Sequence, residues 1–98
     1  MTFLQLHPDD NVATAMADVP AGTPVEWDGK VRTVTREKIL YEHKVALRDI
    51  PEGEKVIKYG VSIGVAYKPI LAGEHVHLHN LRSLKVRQPG DGSWSNRI

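Results

Sequence analysis

The chain has 98 residues, which suits a single domain, and 41% of them are hydrophobic, which excludes a disordered chain. Its 13 basic and 12 acidic side chains leave a net charge of +1, so neither nucleic acid nor an anionic membrane is an expected partner. Without cysteine there is no disulfide, thiolate zinc site or iron–sulfur cluster; without a membrane-length apolar run or a signal-peptide pattern, the expected address is cytoplasmic.

In chain order, Thr2–Leu6 reads as a strand, and Asp9, Asp10 and Asn11 form a polar cluster that suits a turn or a hard cation. Asn11–Ala17 is ambiguous: its alanines and Met16 allow a short helix, while Val12 and Thr14 favour strand. A phrase then recurs three times, as Asp18-Val19-Pro20-Ala21-Gly22-Thr23-Pro24-Val25, Asp49-Ile50-Pro51-Glu52-Gly53-Glu54-Lys55-Val56 and Pro69-Ile70-Leu71-Ala72-Gly73-Glu74-His75-Val76. Each is an apolar residue, a tight turn that needs glycine for its backbone angles, and entry into a strand. The glycines are 31 and 20 residues apart, so the copies do not make a regular solenoid. Between them, Val31–Arg36, Val45–Leu47, Val56–Lys58, Val61–Ala66 and His75–Asn80 read as strands, and Thr35–Tyr41 has room for one helical turn. The expected class is all-β, with short strands and little helix. The domain is expected over residues 1–87, followed by a Pro/Gly/Ser-rich flexible tail over 88–98 in which Trp94 is either an incidental aromatic or an anchor on a partner chain.

The densest chemistry lies in Gly73-Glu74-His75-Val76-His77-Leu78-His79-Asn80. On a strand, period two puts the three imidazoles on one face and turns Val76 and Leu78 into the core. Extended geometry separates His75 and His79 by about 13 Å, so two neighbours can share one metal ion but all three cannot without a bend. The row suits metal binding or proton transfer, or else is a polar strand face with ordinary imidazoles. His7 and His43 stand alone and read as hydrogen-bonded structural groups, although Glu42-His43-Lys44 brings three titratable groups together. Lys58 and Tyr59, beside Gly60, suit capture of a carboxylate or hydroxyl, or a solvated lysine beside a packed tyrosine. No nucleophile elbow, phosphate loop or zinc-protease helix is present, so any site here is part of a composite enzyme or a binding module.

Asp10-Asn11-Val12-Ala13, His43-Lys44-Val45-Ala46-Leu47-Arg48-Asp49-Ile50, Val56-Ile57-Lys58-Tyr59-Gly60, Ile63-Gly64 and Gly73-Glu74-His75-Val76-His77-Leu78-His79-Asn80 occur in this order. Together they resemble the SAF domain of the altronate/galactarate dehydratase family over about residues 3–83. The resemblance implies a β-clip fold and a hydro-lyase that removes water from a sugar acid to give a 2-keto-3-deoxy acid. It implies a divalent metal, iron or manganese, and a large catalytic subunit as partner, with this chain as the small subunit or an N-terminal domain. Sulfolactate sulfo-lyase, a relative that expels sulfite, is an alternative. Two departures bear on the substrate: Glu42 where the family often has glycine, and Ser62 where it often has proline.

The implied elimination needs a base for the α-proton, stabilisation of the enolate-like charge and help for the leaving hydroxide. His75 and His77 are the expected metal ligands or proton carriers. Lys44 and Lys58 are expected to hold the substrate carboxylate, with His79 and Asn80 orienting or binding the sugar acid. The large subunit would supply the remaining ligands and the main base, and the assembly could be a homo-oligomer of such pairs. A competing reading is a non-catalytic SAF module that presents the histidine row to a carbohydrate or protein. Nucleic-acid binding has only Arg82, Lys85, Arg87 and Arg97 in its favour, without interleaved aromatics.

Overall fold

A computed structural model describes residues 2–5 and 7–83. The expected tail, with Trp94, and the end of the expected domain at 87 lie outside the described residues. Within them the chain forms β1 (Phe3–Leu4), β2 (Val12–Ala15), β3 (Pro24–Trp27), β4 (Lys30–Val34), β5 (Lys44–Ala46), β6 (Lys55–Lys58), β7 (Val61–Ala66), β8 (His75–Val76) and β9 (Leu81–Ser83), and no described residue is helical. All pairings are antiparallel, in sheets ordered β1-β2-β5-β8, β3-β4 and β6-β7-β9. The all-β expectation therefore holds.

The fold is built from one motif used twice, at a constant offset of 31 residues. The bridge Val19–Ile39 returns as Ile50–Ile70, and the hairpin β3-β4 returns as β6-β7. Both hairpins turn on two residues of positive φ, Asp28-Gly29 and Tyr59-Gly60, which is the type I′ geometry that matches strand twist. Both carry a bulge at the same place, Val25/Glu26 and Val56/Ile57. Asp18 accepts a hydrogen bond from the Tyr41 amide at 2.8 Å, as Asp49 does from that of Ala72 at 2.8 Å. Each unit packs its own core: Val19, Val25, Ile39 and Val45 in one, Ile50, Val56, Ile70 and Val76 in the other.

This duplication exposes a fourth copy of the turn phrase. Ile39-Leu40-Tyr41-Glu42-His43-Lys44 occupies the place in the first unit that Ile70 to His75 occupies in the second. Gly22, Gly53 and Gly73 have φ of 86, 88 and 89°, and Glu42 takes φ 69° at the equivalent position. A carboxylate side chain at a glycine position hid the copy. It also corrects the helical turn expected over Thr35–Tyr41, because Ile39 is held in a bridge to Val19. The ambiguous Asn11–Ala17 contains strand β2, whose four residues are all buried between β1 and β5. Asp10 and Asn11 hold backbone, as the turn reading expects. The Asp10 carboxylate accepts from the Gly60 amide, and Asn11 both accepts from the Ile57 amide and donates to the Lys55 carbonyl.

The expected strand His75–Asn80 is the main correction. Pairing stops after Val76, and His77 to Asn80 form a turn. The buried Asn80 side chain causes it: its carbonyl accepts from the His77 amide at 3.0 Å and its NH2 donates to the His75 carbonyl at 2.8 Å. Leu78 is consequently 56% exposed rather than packed inward.

Candidate functional site

β5 and β8 pair with Lys44 opposite Val76 and Val45 opposite His75. Continuing that register by one residue sets His43 across from His77. The rings meet there: His43 and His77 stack with centroids 4.3 Å apart, His43 and His75 at 4.9 Å, and His75 and His77 at 5.5 Å. His79 tilts onto His75 at 5.1 Å, because the turn after Val76 folds it back. The approach that an extended strand forbids is thus made by the bend.

Nδ1 of His43 lies 2.7 Å from Nε2 of His75. One ligand nitrogen from each of His43, His75 and His77 lies within 4.8 Å of the others. Two metal–nitrogen bonds span at most about 4.2 Å, so small ring rotations bring all three onto one ion. Burial, with the neighbouring imidazoles, lowers the His75 pKa to about 4 and lowers that of His77 as well. Both are neutral at pH 7, the form that coordinates metal. Nδ1 of His77 is buried without a hydrogen-bond partner among the described residues, a lone nitrogen whose desolvation none of them compensates. The residues present therefore suit a divalent ion, and the set has room for substrate or further ligands.

His43, read from sequence as isolated, is the third member. Its signal was the hidden turn copy: aligning Glu42 with the glycines sets His43 at the mouth of a strand beside β8. Glu37 braces the same corner, its carboxylate accepting from the His75 amide at 3.0 Å. Just before β8, Gly73 combines φ 89° with so close an approach that a Cβ would collide with the Val34 carbonyl.

Lys44 alternates to the opposite face from His75, alongside Val76. It is 1% exposed, and among the described residues no carboxylate pairs with it. Burial and then the nearby Lys58 charge lower its pKa to about 8. Its charge in turn helps to lower the His77 pKa, which places Lys44 next to the histidine corner. The Lys58 ammonium stands 4.9 Å over the Tyr59 ring. His79 is exposed, and Asn80 is committed to the backbone of the turn. His7 lies apart, packed against Gly60. No helix among the described residues is long and apolar enough to cross a membrane.

Comparison with known proteins gives this corner a context. Residues 1–84 match the altronate/galactarate dehydratase SAF domain. Altronate dehydratase of Escherichia coli K12 is 47% identical over 83 residues, 85% of this chain and 17% of that protein. The (2R)-sulfolactate sulfo-lyase subunit alpha of Chromohalobacter salexigens is 40% identical over 62 residues, 63% of this chain and 66% of that subunit. That of Paracoccus pantotrophus is 38% identical over 52 residues, 53% of this chain and 78% of that subunit. The chain thus spans about a sixth of the altronate dehydratases it matches. With the match covering every described residue, the chain belongs to the altronate/galactarate dehydratase SAF domain family.

Proposed function

We propose that this chain is the small subunit, or the N-terminal domain, of a metal-dependent hydro-lyase that dehydrates an altronate- or galactarate-type sugar acid. The observation that carries the reading is the convergence of His43, His75 and His77 from two strands, with the His77 Nδ1 buried and unpaired. Those three imidazoles would hold a divalent ion, iron or manganese. Such an ion supplies Lewis-acid polarisation of a bound hydroxy acid.

The chain's own residues do the rest of its share. Lys44 and Lys58 attract the substrate carboxylate to the edge of the histidine corner. Asn80 positions His75 and His77 by holding the turn between them. His79, exposed beside His75, faces the side from which substrate would arrive and can carry a proton there. The small site lacks a clear main base and a water-excluding wall, so a large catalytic body completes it.

A second reading has one specific support: the sulfo-lyase alpha subunits match this chain across most of their own length. In that case the leaving group is sulfite and the carboxylate end of the substrate is unchanged.

Both are tested by co-expressing the chain with candidate large subunits, measuring metal content, and following loss of water or sulfite from a panel of acids. His43→Ala and His77→Ala should each abolish metal retention in a protein whose circular dichroism is unchanged. Full metal content in both folded variants would remove the three-histidine assignment.

A further inference from the structure

The metal reading leaves one buried group unexplained on the lysine side of the site. Thr14 lies on β2 directly opposite Lys44 of β5, so their side chains share one face of the sheet. Its neighbours on that face are apolar core residues: Val12, paired with Ala46, and Val76, paired with Lys44. Valine would fill the same volume at Thr14 without a polar atom. Instead the Thr14 hydroxyl is buried and has no hydrogen-bond partner among the described residues. Beside it the Lys44 side chain is also buried, with neither carboxylate nor hydrogen-bond acceptor among the described residues. An unpaired buried hydroxyl is unfavourable, and one opposite a lysine that has no carboxylate among the described residues describes a site for an anion. Lys58 adds a second positive charge close enough to act on Lys44.

We propose that Thr14 is a substrate-binding residue, donating its hydroxyl proton to a carboxylate oxygen held between Lys44 and Lys58. The inference rests on the hydroxy-acid reading above and adds to it the group that orients the carboxylate. A point charge such as lysine attracts an anion without fixing its rotation, whereas a hydroxyl on a rigid, fully buried strand adds a direction. Both the sugar acids and sulfolactate present a carboxylate, so the clamp serves either reading.

The test uses the full chain, free of metal, titrated with galactarate and followed by amide chemical shifts. The wild type should show saturable shifts at Thr14 and Lys44. Thr14→Val should bind about tenfold more weakly, in line with one hydrogen bond to a charged group, and Thr14→Ser should restore affinity. In the assembled enzyme, Thr14→Val should raise KM with kcat little changed and leave metal content at the wild-type level. Wild-type affinity in Thr14→Val, or no galactarate shift in the wild type, overturns the proposal. Thr14-dependent galactarate binding by a chain that takes up no iron or manganese when either is added back would uphold the clamp and defeat the metal reading instead.

Discussion

The Lys44→Met variant tests how much stability the site gives up for its positive charge. Lys44 is 1% exposed, and its pKa falls from 10.5 to about 8. At 1.36 kcal/mol per unit, holding the ammonium charged in the fold costs about 3 kcal/mol at neutral pH. The nearness of solvent and of the flexible Lys58 reduces this to about 1.5 kcal/mol. Methionine matches the stem in volume and carries no charge, so Lys44→Met should be more stable than the wild type by about 1.5 kcal/mol at pH 7. The sign with pH follows from the lowered folded pKa. Between pH 8 and 10.5 the unfolded chain holds the proton and the folded chain does not, so wild-type stability rises with pH across that window. The advantage of the variant should therefore shrink by pH 10. Urea denaturation of both proteins, stripped of metal, at pH 7 and pH 10 gives the comparison. A variant less stable than the wild type at pH 7, or a gap that does not change with pH, would refute the buried-charge argument. The same variant should bind galactarate poorly, which makes the site a local exchange of stability for recognition.

Further predictions follow from neighbouring residues. Glu42→Gly should raise stability by about 0.5–1 kcal/mol in urea titration, because glycine accepts the φ of 69° without a Cβ penalty; an unchanged or lower midpoint would argue against strain there. Gly73→Ala should lower stability by 2 kcal/mol or more, since the new methyl meets the Val34 carbonyl at positive φ, and it should reduce metal retention by displacing His75. The His75 ring should titrate near pH 4 by NMR. Its folded pKa is below the unfolded value, so it contributes stability above pH 6.5 that is lost as the pH falls towards 4, and His75→Asn should flatten that acid limb. Asn80→Ala should leave the sheets intact but release the turn, weakening metal retention at least tenfold in a competition assay with a chelator.

What was legible in the sequence was the local grammar. Glycine at the turn phrases, β-branched residues after them and short runs between them specify strands and turns one at a time, because these preferences are properties of a few adjacent residues. The family phrases were equally local and named the same set of residues. The long-range pairings were not legible. His43 and His75 are 32 positions apart and meet only because β5 and β8 pair in one register. No pattern within either segment encodes that register once Glu42 replaces the expected glycine. The histidine row misled for the same reason. Alternation implied a straight strand, but a single buried Asn80 bonding to both ends of the turn outweighed two residues of strand pairing and folded His77 and His79 back. Sequence alone thus determined the all-β class and the family, and offered His75, His77, Lys44 and Lys58 as candidates. Tertiary structure decided which of them share a face, and so which nitrogens can share an ion and which ammonium is left without a partner.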